Sequence, residues 1–102
     1  MLSDSVGANP DPNPDPNPWK IGKPYQIRTV TMIQTGILVG VTQLELVLEK
    51  CAWIADTGRF ANAVKSGEYD EVEPFPDDRQ VIVGRGAIID AVQIDAVPIL
   101  QK

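Results

Sequence analysis

Hydrophobic and polar positions alternate along much of this chain, and the period is that of strands. Leu44, Leu46 and Leu48 interleave with Glu45, Val47 and Glu49 in a run that extends to Ile54, the repeat of two expected of a half-buried strand. Tyr25 to Gln34 is rich in β-branched residues and is followed by Gly36, which predicts a strand and then a turn. Ile37 to Val41 makes a second, short strand. Connections this brief join antiparallel neighbours, so the three runs predict a meander. Gln80 to Val83 and Ala87 to Ile94 supply two more strands around Gly84-Arg85-Gly86, a tight turn or bulge, and Pro98 ends the pattern.

One stretch departs from this period. From Asp56 to Gly67, residues Phe60, Ala63 and Val64 fall on a single helical face. Asp56 or Thr57 can cap the first amides, Lys65 suits the negative end, and Gly67 provides a left-handed exit. A helix this short is marginal alone, so it must dock on the sheet, with Phe60 as the expected contact. Trp53 and Phe60 are therefore expected to build the core.

The N-terminal stretch has no such alternation. Asn9 to Pro18 places proline at every second position. Each ring fixes its own φ, removes a backbone donor and keeps the preceding residue out of the α region. The expected form is an extended arm, about 31 Å over ten residues at ~3.1 Å each. Two uses stay open: a solvated leader, or a stiff tie to a neighbouring subunit through Pro10, Pro12, Pro14, Pro16, Pro18 and Trp19. The predicted organisation is an arm over residues 1–24 and a mainly β domain over residues 25–102. That domain is expected to be a small five-stranded barrel with one short inserted helix.

Composition narrows the chemistry. The chain has 102 residues, no histidine and one cysteine. That removes the usual proton shuttle near neutral pH, an internal disulfide and a multi-cysteine zinc site. No catalytic constellation can be assembled, and no cofactor is expected. Cys51 reads as a buried small hydrophobe, with a reactive thiol as the alternative. Met1-Leu2-Ser3-Asp4 lacks the basic and apolar stretches of a secretory signal, and no run reaches the ~18 apolar residues that span a bilayer.

The net charge of −5 is placed unevenly. The arm holds Asp4, Asp11 and Asp15 with no base, and Glu68 to Asp78 holds six acids with two prolines. The remainder is net positive, so copies could mate head to tail. The acidic segment reads as a loop or edge, solvated or facing a partner, with a Ca²⁺ or Mg²⁺ site as the alternative. Within it, Tyr69 and Phe75 either pack on their own barrel or anchor a subunit contact. Asp56 and Asp90 are candidates for acid–base work. Their simpler uses are a helix cap for Asp56 and a pair with Arg59 or Arg85 for Asp90.

Two resemblances follow from these segments. Val30 to Val41, Leu46 to Ala52 and Val81 to Ile89 resemble the two motifs of Sm-like proteins, in which glycines turn strongly bent strands. The resemblance implies a small SH3/Sm-like barrel whose edge strands pair with neighbours into a ring, with Arg85 in the family's basic position. Where that family grips a base with Asp and Asn, this chain has Thr42-Gln43-Leu44-Glu45, and a glutamate there repels phosphate. RNA binding, through Arg85, Arg28 and Lys23 with Lys20, is thus the alternative reading. Ala52 to Phe60, Glu71 to Pro76 and Arg85 to Asp90 look like a family of small uncharacterised proteins of tailed phages and prophages. That resemblance implies a virion or host-cytoplasm location and other virion proteins as partners. The expected function is a non-enzymatic structural or interaction module that forms homo-oligomers. A sponge for a host nucleotide signal is a further alternative.

Overall fold

The computed structural model describes residues 17–102. Pro10, Pro12, Pro14 and Pro16, four of the proposed arm contacts, lie outside the described residues. Among the described residues six strands form one antiparallel sheet: β1 (Pro24–Thr29), β2 (Ile33–Val41), β3 (Glu45–Asp56), β4 (Glu71–Pro74), β5 (Gln80–Gly84) and β6 (Ile88–Gln93). Among the described residues a single α-helix, α1 (Phe60–Ser66), lies between β3 and β4, and one 3₁₀ turn, Arg85–Ala87, joins β5 to β6. The hydrogen-bonded order is β4-β3-β2-β1-β6, and β5 pairs with the first half of β3 beside β4.

The expected five-stranded barrel is thus a six-stranded open sheet. The added strand is the acidic segment. Val72 is buried while Glu71 and Glu73 are exposed, an alternation that lets a charged stretch serve as an edge strand. The outer side of β4 is occupied by Lys102, whose backbone exchanges two hydrogen bonds with Val72 at 3.0 and 3.1 Å. β5 and β6 each pair on one side only among the described residues.

The first turn falls earlier than Gly36. β1 reverses into β2 at Val30–Met32, where the Met32 amide donates to Thr29 Oγ1 at 3.2 Å and the Thr29 amide to the Met32 carbonyl at 2.8 Å. No glycine or proline marks that reversal, because a threonine hydroxyl does the work. Gly36 sits inside β2 instead. The pairing slips by one residue there, between Thr35↔Ala52 and Ile37↔Glu49. The extra residue is on β3, at Lys50 and Cys51, and Lys50 has φ +54°.

This bulge divides the core in two. A regular strand would put Leu46, Leu48, Ala52 and Ile54 on one face. One inserted residue moves the last two to the other face. Tyr25, Ile27, Leu38, Leu46, Leu48, Cys51 and Val83 make the first cluster. Ala52, Ile54, Ala63, Tyr69 and Val72 make the second, where α1 covers the far end of the sheet.

The helix is shorter than the sequence pattern suggests. Arg59 stands at its N-cap with no side-chain cap bond, and Gly67 exits at φ +74° as expected. Asp56 Oδ1 accepts from the Gly58 amide at 2.9 Å, so Asp56 caps a turn ahead of the helix. Docking uses Ala63, which is fully buried, while Phe60 is 52% exposed. Trp53 is 44% exposed and belongs to neither buried cluster. Both large aromatics expected in the core are at the surface.

Candidate functional site

The arm joins the body at Asn17. Asn17 Oδ1 accepts from the Trp19 amide at 3.0 Å. The Trp19 ring meets Tyr25 edge-on, with centroids 5.3 Å apart, a favoured aromatic geometry. The Lys20 amide donates to the Tyr25 hydroxyl at 2.9 Å. Gly22 turns at φ +87°, and its amide and the Lys23 carbonyl bond Leu38 on β2. The body therefore reaches back to Trp19, ahead of the expected start at Tyr25.

Beside this root lies a groove of about 290 Å³, walled by Pro18, Trp19, Tyr25, Ile88, Asp90 and Ala91. A second groove of about 280 Å³ runs between Met32, Trp53 and the Pro74-Phe75-Pro76 segment, with Glu73 on its rim. Ile82 and Ile89, on the two strands paired on one side only among the described residues, are 62% and 60% exposed.

The basic candidates are divided in use. Arg28 and Asp90 are register partners on β1 and β6. The guanidinium forks onto the carboxylate, with Nε to Oδ1 at 2.8 Å and a second bond from the terminal nitrogen to Oδ2. This holds the Asp90 carboxyl below its ordinary value and raises Arg28. Asp90 thus pairs with Arg28, not with Arg59 or Arg85. Arg85 donates to the Thr42 carbonyl at 2.8 Å, and its amide bonds the Leu44 carbonyl. It ties the β2–β3 turn to the β5–β6 link. Lys20 and Lys23 are exposed, and no carboxylate pairs with either among the described residues.

Tyr69 has no exposed surface with which to meet another chain. It is fully buried in the second cluster, and its hydroxyl donates to Gln26 Oε1 at 3.0 Å. Burial pushes its phenol up to about 12. Phe75 is half-buried against the first cluster. Cys51 is buried, and desolvation with help from Glu49 pushes its thiol up to about 11, so it is a protonated packing group at neutral pH. Among the described residues, no three acidic or cysteine side chains converge to hold a metal ion. No helix among them is long and apolar enough to cross a membrane.

The two grooves were not legible in the sequence. Trp53 alternates with Ala52 and Ile54, which face the second cluster, so it lies on the opposite face of β3, and no local pattern records which face a helix covers. Comparison with protein-family models, curated proteins and solved structures returns no match.

Proposed function

We propose that this protein is a non-enzymatic structural or interaction module whose copies join through the edges of the sheet. The observation that carries this reading is the pair of strands, β5 and β6, each hydrogen-bonded on one side only among the described residues, with Ile82 and Ile89 exposed on them. Unpaired strand edges are templates for another chain. Two different edges on one molecule favour head-to-tail joining, which closes into a ring or runs on as a filament. The last strand returning to the first, with β5 and β6 linked by one 3₁₀ turn, supports reading the sheet as an SH3- or Sm-like barrel left open between those strands. β4 has its outer side occupied by Lys102 and is not the joining edge. The resemblance to small tailed-phage proteins makes a virion-associated or accessory component the setting for such an assembly, with the N-terminal arm tying one copy to the next.

An RNA-binding ring is the weaker reading. Arg28 is engaged by Asp90 and Arg85 by a backbone carbonyl, so two of its four named cations already have partners. The test of the preferred reading is light scattering on the full chain at micromolar concentration. A mass several times 11.1 kDa is expected, and the mass of one chain overturns it.

A further inference from the structure

Sixteen residues precede the described part of the chain, and they carry most of the proline repeat. The repeat reaches the body at Pro18, which is itself one wall of the groove formed with Trp19, Tyr25, Ile88, Asp90 and Ala91. Proline-rich chains dock in grooves lined by aromatic rings, because little backbone entropy remains to be lost. Trp19 and Tyr25 provide two such rings, set edge-to-face. The repeat is also acidic, with Asp11 and Asp15 between its prolines. Lys20 adjoins Trp19, and Lys23 lies two residues before Tyr25. Both are exposed and without a carboxylate partner among the described residues. Asp90 lines the groove but is neutralised by Arg28. The groove beside Trp53 has Glu73 on its rim, which pairs with no cation among the described residues and repels an acidic chain.

The chain's own repeat is a poor occupant. Proline at every second position disfavours the α region at each preceding residue. A tight reversal of a chain's own repeat onto its own groove is thereby disfavoured. We propose that the groove walled by Trp19, Tyr25, Ile88 and Ala91 receives the Asn-Pro-Asp-Pro repeat of a second copy, with Lys20 and Lys23 meeting Asp11 and Asp15. This rests on the self-assembly reading and names one of its contacts.

The test uses full-length chains, half of them ¹⁵N-labelled, mixed and treated with a zero-length carbodiimide that joins carboxylates to lysines. Linked pairs of mixed isotope between Asp11 or Asp15 and Lys20 or Lys23 are expected. They should fall at least tenfold in a full-length variant carrying Pro10→Ser, Pro12→Ser, Pro14→Ser and Pro16→Ser, and in Trp19→Ala. Circular dichroism checks that both variants keep the sheet. Pairs of like isotope only, or mixed pairs that survive both variants, overturn the proposal, as does an absence of linked pairs. Light scattering on the same mixture separates the two readings. An assembled mass without mixed pairs removes the arm contact and leaves self-assembly standing, whereas a single-chain mass removes both.

Discussion

Tyr69 and Gln26 lie 43 residues apart in sequence and meet in the interior, phenol hydroxyl to amide oxygen at 3.0 Å. Both are almost wholly buried. The bond fastens the segment after α1 to β1 across the face of the sheet. Tyr69→Phe leaves a buried acceptor without its donor, at a cost of about 1–3 kcal/mol. Urea unfolding of the two proteins checks this. Gln26 also explains why a glutamine stands in a strand whose neighbours Tyr25 and Ile27 are buried on the other face.

The same phenol sets an alkaline limit. Its value is about 12 in the folded chain against 10.0 for an exposed tyrosine, and the Cys51 thiol stands at about 11 against 9.0. Between the unfolded and folded values the native state holds more protons than the unfolded one. Stability therefore falls as pH rises through this window, and is fully present below about pH 9. Unfolding midpoints measured from pH 8 to 12 should drop from about pH 9 upward. In Tyr69→Phe the part of the slope between pH 10 and 12 should be shallower, and in Cys51→Ala the part between pH 9 and 11. Parallel curves for all three proteins refute the assignment.

Gly36 is the residue that makes the bulge possible. A Cβ built on it stands 2.7 Å from Cys51 Sγ and 3.0 Å from Leu48 Cβ. Gly36→Ala thus forces the two strands apart, and overpacking of this kind costs about 1–3 kcal/mol. Cys51→Ala in the same background removes the nearer clash and should recover part of the loss, while Cys51→Ala alone destabilises by leaving a small void. A double-mutant cycle measures the coupling. Additive effects would show that Gly36 and Cys51 do not share this space.

The strand pattern was readable because burial follows a period of two. Leu46, Leu48 and Val83 lie in the core, and Gly67 ends the helix. What escaped was decided by single-residue shifts. The bulge at Lys50 sent Ala52 and Ile54 to the second cluster, and Trp53, between them, lies on the opposite face. The threonine-built turn at Val30–Met32 hid behind residues that favour strands. The acidic segment concealed β4 because only Val72 among its central residues is buried. Arg28 was legible as a cation but not as the partner of Asp90, since a contact across 62 residues depends on register that no local pattern records.

That register gives a second titration. The folded value of Asp90 is depressed by the fork from Arg28, so the pair favours the native state above the ordinary aspartate value of 3.8. Its contribution disappears as pH falls through the depressed folded value. The groups are exposed, so the effect is visible in the titration of the carboxyl rather than in overall stability. Carbon-detected NMR of the Asp90 carboxyl should give a midpoint below 3.8, moving upward in Arg28→Gln. A midpoint that ignores this substitution shows that the fork does not persist in solution.

The edges make the sharpest demand. If copies join along β5 and β6, a charge on either strand must be carried into the junction, where it meets the apolar face of the neighbouring strand and loses water. Ile82 and Ile89 are already exposed, so replacing them removes no core contact and should leave the monomer's fold intact. Ile82→Lys and Ile89→Lys should each lower the mass seen by light scattering while preserving the far-ultraviolet circular dichroism. The effect should be as large on one strand as on the other, because a head-to-tail junction uses one edge from each copy. A drop for only one variant points to a junction between like edges, which closes at two copies. An unchanged mass for both removes the strands from the interface altogether.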